Sequence, residues 1–505
     1  MKKLALISVS DKRNLIEFAQ ELTKFDYEIL ATGNTARMLN ESGISCKEIS
    51  DYASFPEIFS GRVKTLQPRI FGGILMRRDN KQDIAEAEEN KVIPIDIVCV
   101  NLYPFPQVVN REDVDLDYKI ENIDIGGPSL IRAAAKNYKY VSVLTNTEQY
   151  AEFIDELRQG EISLDTKKKL AFEAFSYTSY YDTLIANFLE KTFEIPPTRI
   201  RINYPLVQSL RYGENPHQSA ALYGDFYSYF EILHGKEISY NNIIDIVASV
   251  ELVQELGHNA CAIIKHTNPC GAAIGESVAD AYSKALSCDP VSAYGGIVAF
   301  NDLVDAETAK KLNEIFLEVV CAPDFSPEAL EILRAKKNRR IVKVQKTLSD
   351  GTMNYKSVPG GLIAQQKDDS KLEMENVRSV TKKQVDSSQF EDLIFAWKVC
   401  KHVKSNAIVY VKDKKILGVG AGQMSRVDSV KIAASKAKEL GHQLNGAVAA
   451  SDAYFPFADG VIEMSGYGIT AIIQPGGSVR DQEVIAAADD NNLVMIFTGI
   501  RNFKH

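Results

Sequence analysis

Three stretches of the chain recur in the same order at nearly constant spacing. SVADAYSKA at 277–285 returns as SVKIAASKA at 429–437, GIVAFND at 296–302 as GAVAASD at 446–452, and AII at 262–264 as AIV at 407–409. The separation far exceeds any solenoid period, so the pattern predicts two similar α/β subdomains rather than a repeat array. Ligand sites are then expected in the crevices between them.

Upstream of the repeat, strand and helix signals alternate. KLALISV, YEILAT, DIVCVNLY and YVSVLT read as buried strands, and NLIEFAQELTKF, NTARMLNESG, QDIAEAEEN and PSLIRAAAKN as the helices between them. This order predicts a parallel sheet covered by helices on both faces, with ligand at the carboxyl ends of the strands. A long helical stretch, TKKKLAFEAFSYTSYYDTLIANFLEKTF, runs up to Ile195-Pro196-Pro197, where two prolines cannot continue a helix. The expected organisation is a domain over 1–195 and a region over 198–505, the latter split into subdomains at about 198–370 and 371–505.

Composition narrows the function. Of the 505 residues 58 are basic and 67 acidic, for a formal charge of −9, which argues against nucleic acid as the main partner. The one dense basic cluster, Lys336, Lys337, Arg339 and Arg340, follows a helical-looking EALEILRA and reads as a solvated helix end or connection. MKKLALISVSDK reaches a charged turn too soon for a signal peptide, and no apolar run is long enough for a membrane span. Seven scattered cysteines with no CxxC pair suit a reducing cytosol and argue against structural zinc.

Residues 1–216 contain no histidine, so proton transfer there must use Lys, Tyr, Asp, Glu, Cys or water. Three segments fall where strands give way to loops: SVSDK with Ser10, Asp11 and Lys12; ATGNTA with Thr32, Gly33, Asn34 and Thr35; and GRVKTL with Arg62, Lys64 and Thr65. Ser10 and Asp11 fit a helix cap as well as an anion site. Taken together, three loops of hydroxyls and cations on one expected sheet edge favour a phosphorylated substrate. No GxxxxGK[ST] is present, which leaves a P-loop nucleotidase without support. The Gly126-Gly127-Pro128 turn opens a helix with Arg132 and Lys136 on one face, and Asp124 lies just upstream; a polar site and a solvated face both fit.

In the repeat, AIIKHTNPCG sets Lys265 and His266 between a buried-strand signal and Asn268-Pro269. Neighbouring strand residues point to opposite faces, so both can reach one substrate only if the strand ends by Ile264 at an Asn-Pro turn.

SVSDK, GRVKTL, NLYPF, IDIGGPSLIRAAAKN, LRYGENPHQ, IKHTNPCG, DPVSAYGGIVAF, SNAIV, GAGQMSR, SDAYFPF and QPGGSVRDQEVI, in this order over essentially the whole chain, resemble the bifunctional purine-biosynthesis family. That family joins 5-aminoimidazole-4-carboxamide ribonucleotide formyltransferase to inosine monophosphate cyclohydrolase. The resemblance implies a methylglyoxal-synthase-like amino-terminal domain that closes the purine ring. It also implies two cytidine-deaminase-like α/β subdomains that transfer a formyl group from 10-formyltetrahydrofolate, in a cytoplasmic homodimer. A zinc deaminase is the obvious rival, but Pro269-Cys270 is followed by Gly271-Ala272-Ala273, so the second thiolate of PCxxC is missing. No metal is called for, and a monovalent cation near the carboxyl-terminal sites is left open.

For formyl transfer the resemblance implies His266 as general base and Lys265 as transition-state stabiliser. It places the nucleotide on Arg211, Tyr212, Asn242, Gly295, Glu318, Asn406, Arg426, Tyr454 and Arg501. Glu318 and Tyr454 are equally readable as packing or surface. Folate falls to Val427, Asp459 and the turn Pro475-Gly476-Gly477, an ionised aspartate being able to accept paired N–H bonds from a pterin edge. For ring closure it implies Lys64, Tyr103, Asp124 and Lys136, with Lys136 as proton donor and acceptor and its pKa lowered by Lys64 and Arg62. Ser10, Lys12, Thr35, Arg62 and Asn101 would orient phosphate, ribose and base, alongside the Thr32-Gly33-Asn34 loop, Thr65, Gly126 and Gly127.

Two positions depart from the family pattern: Gln67 where many relatives carry histidine after GRVKTL, and Asn502 in the closing RNFKH. A regulator that kept the fold and binds nucleotide or folate without turnover is the competing reading. Retention of Lys136, Lys265 and His266 together speaks against it, because a binding module has no need of base chemistry.

Overall fold

The computed structural model describes residues 3–348 and 352–505. The chain divides into two compact units, Met1–Asn203 and Tyr204–His505.

The first unit is built on five strands: β1 (Lys3–Ser8), β2 (Tyr27–Ala31), β3 (Cys46–Glu48), β4 (Ile97–Val100) and β5 (Ser142–Leu144). They pair in the order β3-β2-β1-β4-β5, all parallel. Leu4 to Ile7 and Ile97 to Val100 are buried on both faces, which is why these strands are continuous apolar runs rather than alternating ones. The sheet order reverses between β1 and β4, so a crevice is expected beyond their carboxyl ends. Helix Leu164–Thr192, started by Ser163 accepting the Thr166 N–H, packs along helix Gly126–Lys136 and ends before Ile195 and the two prolines.

The second unit opens with an antiparallel pair, β6 (Leu206–Leu210) and β7 (Ala220–Tyr223), and carries an exposed hairpin of β14 (Met353–Val358) and β15 (Gly361–Gln366). Its centre is one sheet of twelve strands. The first repeat supplies β8 (Phe230–His234), β9 (Ala260–Lys265), β10 (Asn268–Ile274), β11 (Ile297–Phe300), β12 (Val319–Ala322) and β13 (Arg340–Val344). The second supplies β16 (Arg378–Ser379), β17 (Ile408–Lys412), β18 (Lys415–Gly420), β19 (Val448–Ser451), β20 (Ala471–Gln474) and β21 (Val494–Phe497).

The order β16-β21-β20-β19-β17-β18-β10-β9-β11-β12-β13-β8 is a palindrome of the two copies. Each copy repeats the same sequence of parallel and antiparallel pairings, and β10 meets β18 antiparallel at the centre. The halves share more than an edge. One core joins Ala262 and Ile264 of β9 to Val409 and Val411 of β17, beneath helices Tyr240–Glu255 and Ser387–Lys401. On the other face each copy keeps its own core, around Ile263 and Tyr282 in the first and Tyr410 and Phe455 in the second.

The basic cluster after helix Pro327–Arg334 differs from the solvated connection expected for it. Arg339 is buried and donates to Leu312 O at 3.1 Å and to Asn313. Arg340 opens β13 and donates to Glu237 O at 2.8 Å. Strand pairing draws these two cations inward, where carbonyl oxygens receive them.

Candidate active sites

In the first unit the residues singled out from the sequence cluster beyond β1, β2 and β4. Asn101, just past β4, accepts the N–H groups of Ser10 and Asp11 at 2.6 and 2.9 Å and returns a bond to Asp11 O at 3.0 Å. One side chain thereby shapes the loop after β1. Ser8 and Thr32 hydroxyls meet at 2.9 Å, and Thr35, buried, donates to Val9 O at 3.3 Å. Lys12 reaches back to Val9 O at 3.3 Å.

Glycines let the loops close in. A Cβ on Gly33 would come within 3.1 Å of Lys64 Nζ, and one on Gly126 within 2.6 Å of Thr65 Oγ1. The Lys64 and Thr65 loop thus lies against both the start of helix Gly33–Glu41 and the start of helix Gly126–Lys136. Asp124 accepts the Gly127 N–H at 2.8 Å, and its own N–H goes to Tyr181 OH at 2.8 Å. Burial pushes the Asp124 carboxyl pKa up, opposed by N–H bonds from Gly127, Tyr103 and Gly126. The long helix also holds the β4 loop, through Tyr177 OH and the Leu102 N–H at 3.1 Å. Asn101 and the half-exposed Tyr103 line a cavity of about 510 Å³ with Tyr177 and Tyr181.

Not all of the expected set converges. Arg62 pairs with Glu121 at 2.6 Å, and Lys64 with Glu57 at 2.9 Å. Lys136 stands at the far end of the helix that starts at Gly126, about 15 Å along its axis, exposed at the surface. Within one chain, therefore, Lys64 and Arg62 are spent on carboxylates, and the lysine they were expected to influence is one helix length from Asp124.

In the second unit β9 runs through Lys265, which pairs with Asn268. The reversal is a two-residue turn at His266 and Thr267, both at positive φ (52° and 61°), and Asn268-Pro269 already belongs to β10. This corrects the Asn-Pro turn expected after Ile264. Positive φ at both central residues is the pattern of a type I′ hairpin turn, and the proline is accommodated where the β10 register shifts between Pro269 and Gly271. The Lys265 Nζ donates to Tyr294 O at 2.7 Å and would lie 3.2 Å from a Cβ on Gly295. Asn242 donates to Glu318 at 2.9 Å, and Arg340 stands 3.7 Å from the same carboxylate. Burial lowers the Arg340 pKa, while Glu318 and Tyr212 oppose that shift, so Tyr212 joins this cluster. Arg211 lies over the Tyr212 ring at 5.6 Å.

The second copy contributes Asn406, whose oxygen accepts from Arg426 Nη2 at 2.7 Å while its amide donates to Gln423 O at 2.8 Å. Arg426 also bonds Ser451 Oγ at 2.8 Å and forms a buried pair with Asp452. Val427 follows in the same helix turn. Tyr454, Gly476 and Gly477 occupy loops beyond β19 and β20, and Asp459 opens helix Asp459–Gly466; Asp459 accepts the N–H of Gly460 at 2.7 Å, and Gly477 donates its own N–H to the Asp481 carboxylate at 2.7 Å. Arg501 lies 4.5 Å over the Phe503 ring. Lys404 N–H donates to Asn268 Oδ1 at 3.0 Å, so the Lys265–His266 segment and the Asn406–Arg426 segment meet at one end of the central strands. A cavity of about 890 Å³ opens beside this turn, lined among others by Glu251, Thr267, Lys367, Lys404 and His505.

The sequence reading missed Asp245, Asn268, Arg340 and Asp452. The repeat held a signal for the first: Asp245 and Asp392 occupy equivalent helices at the same distance before equivalent turns. Among the described residues no group of three or more His, Cys, Asp or Glu is placed to hold a metal ion, and all seven cysteines are unpaired.

Two chemically equipped units in one chain are the mark of a bifunctional α/β enzyme. A family model described as "AICARFT/IMPCHase bienzyme" matches residues 134–436, and one described as "MGS-like domain" matches residues 14–129. The bifunctional purine biosynthesis protein PurH of Persephonella marina is 50% identical, covering 100% of both chains. Those of Chlorobium phaeobacteroides (strain BS1) and Prochlorococcus marinus are 48% and 49% identical, covering 100% of this chain and 99% and 100% of theirs. The chain belongs to the AICARFT/IMPCHase bienzyme family, and it catalyses the last two steps of inosine monophosphate synthesis, formyl transfer and ring closure.

Proposed function

We propose that the Tyr204–His505 unit transfers the formyl group and that the Met1–Asn203 unit closes the ring. The observation that carries this assignment is the meeting of Lys265–His266 with Asn406–Arg426 at one end of the central strands, through Asn268 and Lys404. The substrate amine is a poor nucleophile because its lone pair is delocalised into the imidazole ring. His266 takes the amine proton as nitrogen attacks the formyl carbon of 10-formyltetrahydrofolate, and Lys265 stabilises the oxyanion. N10 of the folate leaves with a proton.

Arg211, Tyr212, Asn242, Gly295, Glu318, Tyr454 and Arg501 hold the nucleotide with Asn406 and Arg426. Val427, Asp459, Gly476 and Gly477 take the pterin, the positive φ of 71° and 94° at the glycines letting backbone approach a flat ring. In the first unit the carboxamide nitrogen attacks the new formyl carbon and water is lost. Ser10, Lys12, Thr32 to Thr35, Arg62, Thr65, Asn101, Gly126 and Gly127 orient the nucleotide; Lys64, Tyr103 and Asp124 surround the reacting atoms. The group to be attacked is already on the substrate, so orientation supplies much of the acceleration. The separation of Lys136 from Asp124 along one helix supports a homodimer that completes the site. The protein acts in the cytoplasm on small molecules, without nucleic acid or a required metal.

The test is a pair of separations. His266→Ala is expected to abolish formyl transfer and leave cyclisation of supplied formylated nucleotide intact; Lys136→Ala is expected to do the reverse. Loss of both activities from either substitution in folded protein rejects the two-site assignment.

A further inference from the structure

The turn that carries His266 is held in a conformation its residues disfavour. Both His266 and Thr267 sit at positive φ, where a β-branched threonine is especially uncommon. Something must hold them there. Asp245, on helix Tyr240–Glu255, accepts the Thr267 N–H at 2.7 Å, while Thr267 Oγ1 and Asn268 Nδ2 donate to His266 O at 2.7 and 3.2 Å. Burial raises the Asp245 pKa, opposed by the Thr267 bond and by His266 and Lys265.

The second repeat provides an internal control. Its turn, Asp413 and Lys414, has the same positive φ (55° and 51°), and Asp392 accepts both N–H groups at 2.9 and 2.7 Å. The preceding lysine is kept as well. Lys412 donates to Asn445 O at 3.0 Å, just before Gly446 at φ 77°, as Lys265 donates to Tyr294 O at 2.7 Å just before Gly295 at φ 70°. The frame of aspartate, left-handed turn and lysine is therefore common to both copies, and only the first adds a histidine to it.

We propose that Asp245 is a positioning residue for formyl transfer, holding the His266–Thr267 turn so that the imidazole and the Lys265 ammonium act at the same end of the central strands. The proposal rests on His266 being the base. A residue that acts through the turn should move kcat rather than KM, because it places the reacting groups instead of holding substrate.

The experiment compares Asp245→Ala, Asp245→Asn and Asp392→Ala in the full chain, with cyclisation of supplied formylated nucleotide as the measure of folded enzyme. Asp245→Ala is expected to lower the kcat of formyl transfer roughly a hundredfold with KM for both substrates nearly unchanged. Asp245→Asn keeps a weaker, uncharged acceptor and is expected to lose about tenfold. Asp392→Ala removes the same bonds where no histidine stands and is expected to leave formyl transfer unchanged. Wild-type kcat in Asp245→Asn overturns the proposal even if Asp245→Ala does not fold, as do equal losses from Asp245→Ala and Asp392→Ala. His266→Ala separates the two ideas. If it retains formyl transfer the base assignment fails; if it is silent while the Asp245 variants match wild type, only the positioning role fails.

Discussion

Asn268 Oδ1 accepts the main-chain N–H of Lys404 at 3.0 Å, a bond across 136 positions that ties the first repeat to the second. The same side chain donates through Nδ2 to His266 O at 3.2 Å. One amide therefore fixes the distance between the turn that carries His266 and the segment that leads to Asn406.

Asn268→Ala removes both bonds. Each partner left without a partner costs about 1–3 kcal/mol where water cannot replace it. The expected result is a lower melting temperature and a kcat for formyl transfer reduced by at least about tenfold, with cyclisation unchanged. Steady-state assays of both activities and a thermal melt check this; unaltered formyl transfer would show that the two segments do not depend on the bridge.

The buried pair of Arg426 and Asp452 is a second point of leverage. Their side chains are 7% and 0% exposed, and Ser405 and Ser451 bond the same two groups. Arg426→Met leaves Asp452 buried without its cation, at a cost of about 3–5 kcal/mol. Adding Asp452→Asn removes the stranded charge, so the double variant should recover part of the stability in urea unfolding while formyl transfer stays lost. If the double variant is no more stable than the single one, the cost does not come from the carboxylate.

How far the sequence reveals this architecture depends on whether a signal is local. KLALISV and DIVCVNLY are legible as strands because both faces are buried, so apolar residues run on without interruption. β3, three residues at a sheet edge and mostly exposed, carries no such run. Helix Pro68–Leu75, PRIFGGIL, hides behind two glycines. The repeat is visible in SVADAYSKA and SVKIAASKA, yet nothing in it says that the halves fuse into one sheet, since the β10–β18 junction rests on the single pair Ala273 and Lys415. Lys265 and His266 stand out beside a strand. Asp245 does not stand out by itself, because the turn it holds lies in a different element, and only its match to Asp392 in the second copy marks it.

Glycines mark where the paired central strands meet their helices. A Cβ on Gly271 of β10 would lie 2.1 Å from Ala285 O, and one on Gly418 of β18 2.2 Å from Ala433 O, a close approach of strand to helix in each copy. Gly418→Ala must push helix Arg426–Glu439 off the sheet, and overpacking of this kind costs about 1–3 kcal/mol. Gly466→Ala, with nothing within 4 Å, should be close to neutral. Urea midpoints of the two variants compare them directly; equal midpoints would mean that the helix yields without penalty.

His402 makes the second unit sensitive to acid. It is buried, and burial holds its pKa below the ordinary histidine value, with Lys504 pushing the same way and the Glu255 and Glu251 carboxylates opposing. Glu255 lies 3.3 Å from the ring. In the unfolded chain this histidine takes up a proton below about pH 6.5, whereas the folded protein keeps it neutral until its lower pKa is reached. The unfolded state thus binds more protons in that window, and stability falls as pH drops through it, by up to about 1.4 kcal/mol per pH unit for one group. Glu255 does not add to this window: burial raises its carboxyl pKa, His402 and Lys401 bring it below the usual value, and it titrates in more acidic solution. His402→Gln should therefore flatten the decline in urea stability between about pH 7 and pH 5.5 relative to wild type. Parallel pH profiles for the two proteins would assign the acid sensitivity to other groups.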